Sequence, residues 1–262
     1  MADELFDIAG KTALVTGGTS GIGVMIAGAL VKHGVKTYIS GRDGAQAEAM
    51  AARLVGVYGA MPGQCIGLAA DLADAHGPAT LAAAFASHES SLHLLVNNAG
   101  ASESGTIDTV SVEEWDKVLD VNLRAPFFLV QALLPQLRAA ARADDPARII
   151  NVGSIGGAHV PNWEAFPYGA SKAGLHHLTR ALAKRLGREH IIATAIAPGP
   201  FPSRLTDTTS DKVRKSVDTC IPLGRSGEPR DIEGLIVFLA ARASRYINGV
   251  TIPLDGGYLA AL

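Results

Sequence analysis

Seven short runs of β-branched and apolar residues punctuate the chain: Thr12–Thr16, Lys36–Ser40, Gln64–Ala70, Leu92–Asn97, Arg148–Val152, Ile191–Ile196 and Val250–Leu254. Helical patterns separate them. Ile22, Ile26, Ala29 and Leu30 mark one amphipathic helix, and Trp115, Val118 and Leu119 begin another. Leu175, Leu178, Leu182 and Leu186 mark a third, and Arg230 to Ala241 supplies a last one. Alternation of this kind predicts an α/β fold: a doubly wound parallel sheet of about seven strands with helices on both faces. No stretch reads as a linker, a repeat or a low-complexity segment, so a single domain is expected over residues 1–262.

Composition narrows the partners. The 262 residues are 48% apolar, enough for one large domain, and the formal net charge is -2. That charge offers no basic footprint for nucleic acid or for anionic lipid. The acidic opening Met1-Ala2-Asp3-Glu4-Leu5 lacks the basic start and apolar core of a signal peptide. The most apolar stretch, from Ala125 to Pro135, carries two prolines and Gln131 and is too short to cross a bilayer. Two cysteines, Cys65 and Cys220, suggest buried thiols in a reducing, cytoplasmic setting. His176 and His177 are adjacent and so point to different sides of their helix. Packing is expected of them, and no metal.

The candidate chemistry begins after the first strand, in Thr16-Gly17-Gly18-Thr19-Ser20-Gly21-Ile22-Gly23. Glycines at a tight turn let the backbone approach a pyrophosphate, whose charge then lies at the positive N-terminus of the following helix. At the end of the second strand Gly41 stands where a carboxylate would bind a ribose diol, and Arg42 follows with a guanidinium fork suited to phosphate. That favours NADP(H) over NAD(H). Asp43 either binds a ribose or caps the next helix. Asp71, beside Leu72 after the third strand, is placed either to accept from an adenine amino group or to cap a turn. Asn97-Asn98-Ala99-Gly100 closes the fourth strand, where such sheets form their ligand crevice. Tyr168 and Lys172 lie about one helical turn apart and share a face. An ammonium beside a phenol should pull the tyrosine toward neutrality and let it exchange a proton with a substrate oxygen.

Taken in order, these segments resemble the short-chain dehydrogenase/reductase family: TGGTSGIG at 16–23, NNAG at 97–100, Asn122, Ser154, YGASK at 168–172, Pro198-Gly199, and LDGG at 254–257. The resemblance spans nearly the whole chain and implies a Rossmann-type fold and a hydride-transfer reaction. It implies Tyr168 as acid/base, Lys172 as the residue that tunes it and binds the nicotinamide ribose, Ser154 as donor to the substrate oxygen, and Asn122 as holder of a relay water. It places Gly17, Thr19, Ser20, Gly21, Ile22, Gly23, Arg42, Asp71, Leu72, Asn98, Ala99, Gly100, Pro198, Gly199, Phe201 and Ser203 along the cofactor. Serine at 203 stands where relatives more often carry threonine, which preserves the hydroxyl.

The residues add one expectation of their own. Pro126 follows Asn122 by four positions and has no N–H, so either the helix kinks there and frees the Asn122 carbonyl as a water ligand, or the proline starts a new helical segment. The segment Arg204–Pro222, entered through a proline-rich stretch, is long enough to act as a substrate lid over about 200–222. Trp163 and Phe166 offer a substrate wall or loop anchors. Within the family, APGPFPSRL at 197–205 is similar to bacterial 3-oxoacyl-[acyl-carrier-protein] reductases, which implies a 3-oxoacyl thioester substrate and acyl carrier protein as a partner. A carbonyl reductase or alcohol dehydrogenase of small ketones, sugars or cyclic alcohols is the alternative, and a non-catalytic NADP-binding regulator a third reading. Arg180, Lys184, Arg185 and Arg188 are candidates for carrier docking, though they scatter around their helix. The family implies a homotetramer, or else a dimer, with the Tyr168-bearing helix at one interface, and the apolar tail Leu259-Ala260-Ala261-Leu262 should dock on the body or on a partner subunit.

Overall fold

The computed structural model describes residues 2–59, 61, 63–103, 105–160, 164–202, 210, 215, 217 and 219–261. All seven expected strands form: β1 (Thr12–Val15), β2 (Lys36–Gly41), β3 (Cys65–Ala69), β4 (Leu94–Asn97), β5 (Ala147–Val152), β6 (Ile191–Pro198) and β7 (Thr251–Leu254). They make one parallel sheet in the order β3-β2-β1-β4-β5-β6-β7. Strand order reverses between β1 and β4, so the carboxyl ends of those two strands open a crevice.

Among the described residues, the α-helices with defined bounds are α1 (Ala2–Phe6), α2 (Gly21–Lys32), α3 (Gly44–Tyr58), α4 (Gly77–Ala86), α5 (Val112–Leu119), α6 (Ala125–Ala140), α7 (Phe166–Leu186) and α8 (Pro229–Ala240). Strand side chains alternate between faces, and β1 shows the consequence. Ala13 and Val15 pack with Ile26 of α2, Leu54 of α3 and Ile232 of α8. Leu14 packs on the other face with Leu81 of α4, Leu133 of α6 and Leu182 of α7. Each such side chain, fully buried, contributes roughly 1.5–3 kcal/mol. Local signals fix the helix ends. Asp43 caps α3 by accepting from the Gln46 amide at 3.1 Å, and Ser111 with Glu114 forms a capping box on α5.

Between α5 and α6 the chain does not break. Residues Asp120–Arg124 form a π-helical turn in which the Ala125 amide pairs with the Asp120 carbonyl. Pro126, which is buried, supplies no amide to the ordinary ladder at this point, and the widened turn is where the expected disturbance falls. The stretch from Ala125 to Pro135 is therefore part of a longer helix, Val112–Ala140. By length and apolarity that helix could cross a bilayer; here Leu129, Val130, Leu133 and Leu137 are buried against the sheet.

Of the apolar tail, Leu259 is half-buried, Ala260 and Ala261 are exposed, and Leu262 lies outside the described residues. Asp255 accepts from the amides of Gly257 and Leu259, both at 2.9 Å, which turns the chain so that Tyr258 packs against Val217 and Ile221.

Candidate active site

The loop after β1 is shaped by what cannot fit beside it. Gly17 and Gly21 have φ of 63° and 54°, a region that side chains rarely adopt. A Cβ at Gly23 would come within 2.2 Å of the Gly17 carbonyl oxygen and 2.5 Å of Asn98 Nδ2. Asn98 makes that closeness useful: its amide donates to the carbonyls of Thr16 at 2.8 Å and Gly17 at 3.1 Å. The amides of Asn98 and Ala99 both donate to Thr16 Oγ1 at 2.9 Å. Asn98 therefore ties the carboxyl end of β4 to the loop. Helix α2 starts directly after it, with no side-chain cap at Ser20 and no acidic residue in its first turn. Its positive end suits an anion.

Beyond the loop an open cleft of about 400 Å³ is lined by Thr19, Arg42, Asp43 and Gln46. Arg42 is exposed there, whereas the Asp43 carboxylate is engaged as the α3 cap. Of its two sequence readings, the cap is what forms. Gly41 is also set by contact, since a Cβ would lie 2.8 Å from Thr19 Cγ2. Asp71 is exposed at the end of β3 and accepts from the Ala73 amide at 3.0 Å, a turn role, while Leu72 is buried in the core. A bare glycine cradle, an uncapped helix start and a cationic cleft beside β2 together fit a dinucleotide with an extra phosphate.

The reacting end lies at the carboxyl ends of β4 and β5. Asn122 is fully buried in the π turn; its Nδ2 donates to the Ala101 carbonyl at 2.9 Å and to Ser171 Oγ at 3.0 Å. Its Oδ1 accepts from the Ala101 amide at 2.8 Å. Both side-chain donors are thus engaged in joining the loop after β4 to α7. A water held by Asn122 would have to donate to an oxygen, either the main-chain carbonyl or the second lone pair of Oδ1. Gly100 sits over this junction, where a Cβ would lie 3.5 Å from Asn122 Oδ1 and 3.8 Å from Lys172 Nζ.

Ser154 opens a short 3-10 turn, Ile155–Gly157, and its Oγ accepts from the Gly156 amide at 3.0 Å, leaving its proton to be donated. The hydroxyl faces the half-buried Tyr168 phenol from α7. Lys172, only 4% exposed, donates from Nζ to the Val152 carbonyl at 2.8 Å and stands 5.7 Å from the centroid of the Tyr168 ring. The sequence leads one to expect a phenol drawn toward neutrality by this ammonium. Instead burial pushes the phenol up, with Ser154 working against it, and burial pulls Lys172 down to about 8. Desolvation penalises phenolate and ammonium alike, and it is the leading cause of both shifts.

A family model described as enoyl-(acyl carrier protein) reductase matches residues 17–259. The chain belongs to the short-chain dehydrogenase/reductase family. It is 43% identical over 255 residues to the rhamnolipids biosynthesis 3-oxoacyl-[acyl-carrier-protein] reductase of Pseudomonas aeruginosa, covering 97% of this chain and 98% of that one. It is 36% identical to a 3-oxoacyl-[acyl-carrier-protein] reductase FabG of Staphylococcus aureus, covering 94% and 97%. The solved Pseudomonas aeruginosa RhlG/NADP active-site complex superimposes with a TM-score of 0.91 at 41% identity, covering 97% and 98%.

The remaining short-chain dehydrogenase/reductase positions fall around this centre. Pro198 ends β6 in register with Leu254, and Gly199 donates to the Leu254 carbonyl at 3.0 Å. The Phe201 side chain is buried against Gly227. Ser203, Arg204 and Trp163 lie outside the described residues. Phe166 begins α7 and is exposed. Arg180, Lys184, Arg185 and Arg188 are all exposed, with Arg185 paired to Glu189 at 2.5 Å. His176, which the sequence assigns to packing, reaches the Ser154 backbone. Its position one turn after Lys172 on the same helix face was the available signal.

Proposed function

We propose that this protein is an NADPH-dependent reductase that converts the 3-oxo group of an acyl thioester, carried on acyl carrier protein or coenzyme A, to the 3-hydroxy form. The observation that carries the reaction type is the meeting of the Tyr168 phenol and the Ser154 hydroxyl beside the buried Lys172. The substrate class rests on the named activity of the relatives at 43% and 36% identity. Bound NADPH supplies the hydride. The Ser154 hydroxyl donates to the substrate oxygen as negative charge builds on it. The Tyr168 phenol, kept protonated by its burial, delivers the proton to the same oxygen. Lys172 adds positive charge and binds the nicotinamide ribose, and the Asn122 carbonyl holds the water that returns a proton. The loop Gly17–Gly23 and α2 hold the pyrophosphate, Arg42 the 2′-phosphate, Asp71 and Leu72 the adenine end, and Asn98 to Gly100, Pro198, Gly199, Phe201 and Ser203 the nicotinamide half.

Residues 200–222, of which 203–209, 211–214, 216 and 218 lie outside the described residues, serve as the lid; its described part includes buried Phe201 and, packed with Tyr258, Val217 and Ile221. The enzyme works in the cytoplasm, in keeping with free thiols at Cys65 and Cys220. It assembles as a homotetramer; exposed Phe127 and Phe128, ring centroids 5.2 Å apart on α6, support an interface there, and light scattering tests it.

The test is NADPH oxidation by the purified protein with 3-oxoacyl thioesters, small ketones and sugars, repeated with Tyr168→Phe. Turnover of the thioesters that the phenylalanine variant loses supports the proposal. Turnover confined to small ketones or sugars moves the substrate to the carbonyl reductase reading. Cofactor binding without turnover on any of them leaves the regulator reading and removes the catalytic one.

A further inference from the structure

His176 shares a face of α7 with Tyr168 and Lys172, one turn beyond the lysine, and is 5% exposed. Its Nε2 accepts from the Ser154 amide at 3.4 Å. The ring lies so close beneath this part of the chain that a Cβ at Gly153 would come within 2.1 Å of Nε2. A Cβ at Gly157 would come within 2.9 Å of Cε1. Those two glycines bracket the turn that presents Ser154, and both lack side chains where the imidazole fits. From the same helix, Lys172 holds the Val152 carbonyl and Thr179 Oγ1 accepts from Asn151 Nδ2, each at 2.8 Å. Three turns of α7 therefore grip residues 151, 152 and 154 where β5 runs into the site.

An acceptor Nε2 requires a ring protonated on Nδ1 only. Burial, together with the charges of Lys172 and Arg180, pushes the imidazole down to about 4 and keeps it neutral. We propose that His176 is a positioning residue: by accepting the Ser154 amide it fixes the Ser154 turn against α7 and aims the Ser154 hydroxyl at the substrate oxygen beside Tyr168. The inference rests on the reading of Ser154 as donor to that oxygen.

A double-mutant cycle separates positioning from plain packing. His176→Leu should lower kcat by about tenfold to a hundredfold, the scale of a misplaced reacting group, with NADPH affinity by fluorescence titration unchanged. His176→Gln, whose amide oxygen can accept the same N–H, should recover most of that loss. In a Ser154→Ala background, His176→Leu should cost nothing further. An equal loss in both backgrounds, or an unaltered kcat in His176→Leu where Ser154→Ala is slow, overturns the positioning role and leaves the Ser154 reading standing. A Ser154→Ala enzyme at full kcat removes the Ser154 reading and this inference with it. Nitrogen-15 NMR of the labelled imidazole gives a readout independent of turnover: an unprotonated Nε2 supports the assignment, and a protonated Nε2 overturns it.

Discussion

Lys172 is held by Val152: its Nζ donates to that main-chain carbonyl at 2.8 Å while remaining 5.7 Å from the centroid of the Tyr168 ring. The end of β5 therefore positions the ammonium, and the phenol is not its hydrogen-bond partner. Because each group is shielded from water, Lys172 fully and Tyr168 in part, desolvation displaces each toward its neutral form. A protonated phenol is the form that reduction of a carbonyl consumes.

A pH dependence follows from that pair. The Lys172 charge is present below about 8 and lost above it. The rate of ketone reduction should fall with a one-proton slope as pH rises through about 8, and a profile flat to the unfolding limit would contradict the assignment. The same displacement has an opposite sign for stability. The unfolded chain keeps this proton up to 10.5 and the folded chain only to about 8. Between those values the unfolded state binds more protons, so Lys172's contribution to stability improves as pH rises. Denaturant titrations of wild type and Lys172→Met across that window would read it out.

Arg42 and the cofactor's extra phosphate give a second expectation. The exposed guanidinium lines the cleft beside Thr19, and the neighbouring carboxylate, Asp43, is engaged in capping α3. Arg42→Ala should weaken NADPH binding by about tenfold to a hundredfold, the worth of a charge-assisted hydrogen bond. Binding of NADH, which has no 2′-phosphate, should be unchanged. Equal weakening of both would mean that Arg42 does not read that group.

The glycine loop predicts a contrast between two kinds of glycine. Gly23→Ala would force a methyl to within 2.2 Å of a backbone oxygen, so it should cost about 1–3 kcal/mol and abolish NADPH binding. Gly56 in α3 and Gly234 in α8 have nothing within 4 Å of an added Cβ. Alanine at either should raise stability by roughly 0.5–1 kcal/mol through helix propensity and leave kcat unchanged. Thermal melts with cofactor titrations distinguish the two classes.

The sequence was most legible where one periodicity decides the outcome. Strand positions such as Leu14, Val15, Ile149 and Ile150 are apolar because both faces of the sheet are covered, and every expected strand is found within two residues of its expected ends. That Asn122, Ser154, Tyr168 and Lys172 come together was legible from their order along the chain. What they do to one another was not, because it depends on contacts between residues distant in sequence. The Asn122 amide reaches Ser171, 49 positions away, and the Ser154 amide reaches His176, 22 positions away. The direction of the Tyr168 shift failed for the same reason: spacing sets the proximity of a charge, whereas burial is set by everything packed around it.

Pro126 supplies the last expectation, since it joins a stability effect to a catalytic one of opposite sign. The π turn at Asp120–Arg124 stands where the proline leaves the Asn122 carbonyl without its usual donor. Asn122's side-chain donors are already committed to Ala101 and Ser171, so a relay water on this residue needs an acceptor, and the carbonyl freed by the proline is one that the helix does not use. Pro126→Ala restores an amide at this position and lets the ordinary ladder close over it. The melting temperature should then rise, by the equivalent of about 0.5–1.5 kcal/mol for one recovered hydrogen bond. Turnover should slow at the same time, because the carbonyl now accepts from the helix. A variant that gains stability and keeps wild-type kcat at every pH would show that the π turn accommodates the proline and carries no proton.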